Sequence, residues 1–283
     1  DALVRALPVE ENVTVADPLK VVIAGRPNVG KSSYVNRLLR SDRVIVSDVP
    51  GTTRDSIDVP FQVGGGPQAR HYLLVDTAGL RRKSKVAGTV DHYAQLRSER
   101  AIERADVAIV VCDASEGVRS EDLKAGEIAM KAGCATLMVM NKWDITDTDI
   151  DDTRARVARK MRLRPDVVTA SAKSGRNVAG LLSRAAELAD RAAQRIATPA
   201  LNRFVADVVT TTPPPSRRGR RLKLLYAAQI EVSPPRFSIQ VNDRRLIVRD
   251  WAYHLENRLR EAYGLEGVPL VIDYVPRSSR SSA

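Results

Sequence analysis

The sequence predicts an α/β domain with a mostly parallel sheet, followed by a small α+β domain. Three observations carry that architecture. Five short apolar runs, LKVVIA (19–24), HYLLVD (71–76), VAIVVCD (107–113), ATLMVMN (135–141) and DVVTA (166–170), alternate with stretches of helical periodicity. A glycine-containing loop, GRPNVGKSS (25–33), follows the first run and opens the first helix. The composition then shifts after residue 194, where an Ala-rich helix gives way to prolines and arginines.

Near-continuous apolar runs, rather than alternating ones, belong to strands covered on both faces, which is why the sheet is expected to be parallel and sandwiched by helices. A further strand is expected in SIDVPFQV. Helices are expected near 31–39, 91–104, 121–133, 151–163 and 177–195, with Ser120 and Asn177 as candidate caps. Residues 1–18 read as an amphipathic remnant and linker; the first residue is Asp rather than Met, which suggests a processed or truncated chain. Residues 19–195 form the larger domain. Residues 196–276 form the smaller one, in the order α-β-β-α-β: LNRFVADVV, then LKLLYAAQIEV, RFSIQVN, a helix from about Asp250 to Tyr263, and VPLVIDYV. Residues 277–283, RSSRSSA when read from Arg277, are expected to be a flexible tail.

A chain of 283 residues that is 43% apolar can bury a sizeable core, and no run approaches the ~20 apolar residues needed to span a bilayer. The expectation is a soluble protein in a reducing cytoplasm: Cys112 and Cys134 lie in or beside apolar runs, where a small hydrophobic thiol is expected rather than a disulfide. The three histidines, at 71, 92 and 254, are scattered without ligand spacing, so no cage of protein metal ligands is expected. The net charge is +11; from residue 195 onward 15 basic residues face 8 acidic ones. Such a density of arginine suits contact with a polyanion, most simply nucleic acid, or else a solvated basic face.

The loop GRPNVGKS satisfies G-x-x-x-x-G-K-[ST] between a buried strand and a helix, the setting that gives the pattern its meaning. Gly25 and Gly30 let the backbone of Arg26, Pro27, Asn28 and Val29 curl so that its N–H groups point inward, and the helix carrying Ser32 and Ser33 adds its positive end. Lys31 would neutralise β- and γ-phosphates, and Ser32 would bind Mg²⁺. At the end of another strand, Asn141-Lys142-Trp143-Asp144 places a carboxylate that can accept from the N1–H and 2-amino groups of guanine, donors that adenine lacks, so Asp144 argues for GTP and GDP. Ser171-Ala172-Lys173 would cover the base, the Ala172 N–H reaching the guanine carbonyl. Asp76-Thr77-Ala78-Gly79 ends the strand HYLLVD, with Asp76 to hold Mg²⁺ through water and the Gly79 N–H to sense the γ-phosphate.

Taken together, GRPNVGKSS, GTTRD (51–55), DTAGL (76–80), NKWD (141–144) and SAK (171–173) resemble the Der (EngA) family of bacterial ribosome-assembly GTPases. The resemblance covers essentially the whole chain. It implies a P-loop GTPase domain followed by a KH-like domain, with a preceding GTPase domain absent and DALVRALP as its last helix. It implies GTP hydrolysis in assembly of the large ribosomal subunit, with that subunit and its RNA as partners. One threonine of GTTRD would close on Mg²⁺, Thr53 or alternatively Thr52. Lys31, Thr53, Gly79 and Asn28 are the expected catalytic positions. Leu80 stands where many GTPases carry a water-orienting glutamine, so an intact binding site with negligible turnover, a GTP-sensing RNA-binding scaffold, is the alternative. The Asn28 oxygen could hold a monovalent cation, K⁺ in related GTPases lacking the glutamine, or could merely shape the turn. The loops at 51–55 and 80–90 resemble switch segments.

The smaller domain departs from RNA-binding KH domains, whose G-x-x-G loop joins two helices. Its literal match, Gly264 to Gly267, precedes the last strand and is expected to be a turn. Phosphate contacts would come from Arg217, Arg218, Arg220, Arg221 and Lys223, with a second patch at Arg244, Arg245 and Arg249. Tyr226, Phe237, Trp251 and Tyr253 are expected in the core. Docking on GTPase domains is the competing role for this domain.

Overall fold

The computed structural model describes residues 17–41, 44–46, 58–65, 69–77, 98–217 and 219–277. Five parallel strands, β1 (Leu19–Ala24), β4 (Arg70–Val75), β5 (Val107–Asp113), β6 (Ala135–Asn141) and β7 (Asp166–Thr169), are extended at one edge by antiparallel β2 (Val44–Val46) and β3 (Val59–Val63), in the order β2-β3-β4-β1-β5-β6-β7. The helices between them are α1 (Lys31–Leu39), α2 (described over 98–103), α3 (Ser120–Lys131), α4 (Ile150–Lys160) and α5 (Gly180–Ala193). Every residue of β5 and β6 is buried, as expected for central strands covered on both faces.

β1 lies between β4 and β5, so the strand order reverses beside it. In open α/β sheets such a reversal leaves a crevice outside the carboxyl ends of the strands, which is where ligands bind.

Two expected caps are corrected. The N-cap of α3 is Arg119 rather than Ser120, which is already the first helical residue, and the Arg119 N–H donates back to the Asp122 carboxylate at 3.0 Å. Asn177 has φ 60° and its amide donates to Thr169 O at 3.0 Å; α5 begins only at Gly180.

The second unit comprises α6 (Thr198–Thr211), a short hairpin of β8 (Ser216–Arg217) and β9 (Arg220–Arg221), then β10 (Leu224–Glu231), β11 (Arg236–Val241), α7 (Arg249–Tyr263) and β12 (Val271–Pro276). β10 pairs antiparallel and β12 parallel with the central β11. Phe237 and Trp251 are buried, but Tyr226 is 48% exposed. The register with β11 slips between Leu224 and Tyr226, so the in-out alternation breaks there and Tyr226 faces outward. Tyr253 is half-buried, with the Arg162 guanidinium 4.1 Å above its ring and that of Arg249 at 5.1 Å.

The turn between α7 and β12 is joined by backbone hydrogen bonds to the amino-terminal end of the large sheet. Thr136 N donates to Gly267 O at 2.7 Å, and Gly267 N donates to Leu163 O at 3.0 Å. Gly264-Leu265-Glu266-Gly267 is thus a turn, and also a contact. Gly267 has φ 75°, and a Cβ there would lie 2.9 Å from Thr136 O, so only glycine permits the approach. Glu256, 4% exposed, accepts from both Arg162 and Arg260. One apolar cluster runs from Leu19 and Leu188 through Leu201 and Leu259 to Val268.

Candidate functional site

The loop after β1 is shaped by backbone that most side chains could not adopt. Gly25 has φ 135° and a Cβ on it would meet Val111 O at 2.3 Å; Gly30 has φ 98° and a Cβ on it would meet Asn141 Nδ2 at 2.4 Å. Asn28 is exposed with φ 63°, a left-handed conformation that asparagine tolerates better than most residues. The Lys31 ammonium lies inside the curl, donating to Gly25 O at 2.7 Å and Arg26 O at 2.6 Å. Burial and the neighbouring Arg26 bring its pKa down to about 8. Ser32 and Ser33 stand exposed on the first turn of α1, Pro27 is exposed, and Val29 is buried.

Arg26 faces the other way. Its Nε donates to the buried Asp122 at 2.9 Å and its Nη2 to Glu116 at 2.8 Å. Only its backbone is left for a ligand in the loop, which narrows the sequence-based assignment of Arg26 as a nucleotide contact. The pair ties the loop to α3, a connection that a lone Arg in a glycine-rich motif does not announce.

Asn141 joins three segments. It is 2% exposed; its Nδ2 donates to Val29 O at 2.8 Å, and its Oδ1 accepts from Ala172 N at 3.0 Å. The loop after β1, the end of β6 and the turn after β7 are therefore held around one space. Lys142, with φ 62°, donates to Asp113. Burial pushes the Asp113 carboxyl up, but the bonds from Lys142 and Ser115 outweigh it and hold the group below the usual range. Trp143 N donates to Ala170 O at 3.2 Å, and its ring packs on the buried cluster around Met140 and Met161. Asp144 is exposed, and the Ser171 hydroxyl holds its carboxyl below the usual carboxylate range. Ala172 is buried and Lys173 exposed. An ionised carboxylate presented to solvent beside this turn can accept from two neighbouring N–H donors of a planar base.

On the other flank, β4 is the parallel neighbour of β1, so Asp76 and Ser32 emerge on the same rim. Asp76 has φ 56°, a conformation costing a non-glycine residue of order 1 kcal/mol. Its N–H donates to Asp58 Oδ1 at 3.0 Å, and the other carboxylate oxygen of Asp58 pairs with Arg104. Thr77 is fully buried. A hydroxyl and a carboxylate on one rim fit a hard divalent cation held partly through water. Thr52, Thr53, Ala78, Gly79 and Leu80 lie outside the described residues.

The two basic patches of the smaller unit come together. Arg217 Nη1 donates to Arg245 O at 3.3 Å, and Asp243 pairs with both Arg220 and Arg245. Arg217, Arg220, Asp243, Arg245 and Leu246 line a cavity of about 310 Å³. Arg221, Lys223 and Arg244 are exposed nearby in sequence, whereas Arg249 donates to the hydroxyl of Tyr253. Arg218 lies outside the described residues.

Comparison with known proteins supplies the context. Residues 20–142 match the family described as 50S ribosome-binding GTPase, and residues 195–274 match the KH-domain-like family of EngA bacterial GTPase enzymes, C-terminal. The chain is 43% identical over 277 residues to GTPase Der of Pelotomaculum thermopropionicum, with 95% of this chain and 62% of that protein covered. It is 44% identical over 278 residues to GTPase Der of Heliobacterium modesticaldum, again over 95% and 62%. The chain thus spans about three fifths of the length of the curated relatives it matches. Among the described residues no helix is long and apolar enough to cross a membrane.

Proposed function

Because the chain belongs to the Der (EngA) family of GTPases, we propose that it binds GTP and GDP, hydrolyses GTP, and acts as a switch in assembly of the large ribosomal subunit. The observation that carries this reading is Asn141, which ties the loop of Lys31 to the turn of Ala172 beside an exposed, ionised Asp144. The backbone N–H groups of residues 28–32 would cradle the phosphates, and Lys31 would exchange its two carbonyl partners for β- and γ-oxygens. Asp144 would select guanine, and Ala172 would line the base without offering the N–H expected from the sequence, since that N–H is taken by Asn141 Oδ1. Ser32 and Asp76, joined by Thr53, would hold Mg²⁺, which would supply positive charge to offset that of the phosphates. Gly79 would bind the γ-phosphate through its N–H.

Leu80 cannot orient water by hydrogen bonding, so the site needs another source of transition-state stabilisation. Asn28, exposed on the phosphate loop, would recruit K⁺ beside the β- and γ-phosphates. The Leu80 position also favours a second reading, a GTP-sensing scaffold that turns over negligibly. Residues 19–195 would then be the switch and 196–276 the reader, with ribosomal RNA engaged through Arg217, Arg218, Arg220, Arg221, Lys223, Arg244 and Arg245, and with a preceding GTPase domain as a further partner. Steady-state hydrolysis in potassium and in sodium at matched ionic strength separates these readings. Faster turnover in potassium, lost in Asn28→Ala, is expected; tight GTP binding without turnover in either salt would favour the scaffold.

A further inference from the structure

We propose that Asp58 is a positioning residue for the Mg²⁺ site: its carboxylate sets the backbone of Asp76, and Arg104 sets the carboxylate. This inference rests on the nucleotide-binding reading above and adds to it a residue outside every motif that supports it.

Asp58 opens the segment leading into β3, immediately after the stretch that contains GTTRD. Its side chain is 16% exposed, so its charge is largely removed from water and must be met by protein donors. Two are present. Asp76 N donates to Oδ1 at 3.0 Å, and the guanidinium of Arg104, which directly follows α2, donates to Oδ2. Three points of the chain separated in sequence, 58, 76 and 104, therefore converge on one carboxylate.

The bond to Asp76 falls where it has most effect. Asp76 is the last position before the chain leaves the β4 end, and its φ of 56° is one that an aspartate adopts only with support. A charge-assisted acceptor on its own N–H supplies that support and fixes the direction in which the Asp76 side chain leaves the backbone. An Asp76 released to an ordinary φ would turn its carboxylate away from the rim it shares with Ser32. Asp58 thus acts on the metal only through Asp76, and Arg104 acts through Asp58, holding the carboxylate in its orientation.

The test is GDP release from this chain, followed with a fluorescent GDP analogue in saturating Mg²⁺ and in EDTA. Asp58→Ala is expected to speed release in Mg²⁺ by about tenfold, while release in EDTA stays within about twofold of the parent. Asp58→Asn keeps an oxygen for the Asp76 N–H and is expected to recover most of that loss; Arg104→Met is expected to fall between the two. Hydrogen exchange gives a second readout: the Asp76 amide should lose protection in Asp58→Ala and keep it in Asp58→Asn. Equal acceleration with and without Mg²⁺, or no acceleration in either, would overturn the proposal. If Asp58→Ala does not fold, Arg104→Met carries the same Mg²⁺-against-EDTA comparison. Failure of the parent chain to bind GDP would instead count against the nucleotide-binding reading.

Discussion

The two ends of β6 do opposite things with the same strand. At its carboxyl end, the Asn141 side chain ties two loops together around a fixed space, and the residues beyond it, Lys142 to Asp144, turn out toward solvent. At its amino end, Thr136 gives its backbone N–H directly to Gly267, and the approach is so close that no Cβ fits between. One end is kept open by side chains and the other is sealed by backbone. Functional groups gather at the open end because polar side chains there can exchange protein partners for a ligand, whereas the backbone bonds of the sealed end have nothing to exchange with.

That contrast can be broken one end at a time. Asn141→Ala strands the Val29 carbonyl and the Ala172 N–H in a buried place, and GDP affinity is expected to fall by about 100-fold, the equivalent of two or so lost buried hydrogen bonds. Equilibrium titration with a fluorescent GDP analogue checks it; an affinity within error of the parent would remove Asn141 as the tie. Gly267→Val forces a Cβ against the Thr136 carbonyl at φ 75°, and urea unfolding should show a loss of roughly 3 kcal/mol. Nucleotide affinity in that variant should change by less than about twofold, since well-separated sites act independently. A large affinity loss would show the two ends to be coupled.

Asp122→Ala probes the connection between the open end and α3. The buried carboxylate meets Arg26 and the Arg119 N–H, but Glu116 remains beside Arg26, so a stability loss of about 2 kcal/mol is expected, below the usual figure for breaking a buried pair. A thermal melt indistinguishable from the parent would mean that Glu116 alone suffices. The smallest effect on the fold should come from replacing Arg217, Arg220, Arg221 and Arg245 together by Ala. All four are exposed, so the thermal melt should move little, while the slope of log affinity for single-stranded RNA against log salt should flatten by about 3. An unchanged slope would leave the cluster as a solvated face.

Much of this arrangement could be read in the sequence because strand ends announce themselves. An apolar run followed at once by Gly25, Asn141 or Ser171 leaves polar residues on the carboxyl rim whatever the helices do. The expected α-β-β-α-β order of the smaller unit likewise followed from alternation and prolines. Tyr226 was placed in the core by that same alternation, which a register slip defeats. Ser120 and Asn177 matched cap preferences, but Asp122 and the left-handed backbone at residue 177 competed successfully. The partners of Arg26, Asp58 and Gly267 were out of reach for a simpler reason. Each pairs with a residue between 18 and 131 positions away in the chain, and an isolated charge or glycine carries no mark of which distant group it will meet.

The proposed role of the open end rests most directly on Asp144 as the guanine selector, and competition between GDP and xanthosine diphosphate tests it. The parent should bind GDP far more tightly. Asp144→Asn replaces an acceptor by a group that can donate to the 2-carbonyl of xanthine, so it should reverse that preference while leaving the fold unchanged. An Asp144→Asn variant that keeps the parent's affinity and preference for GDP would contradict the assignment of this rim as a guanine nucleotide site.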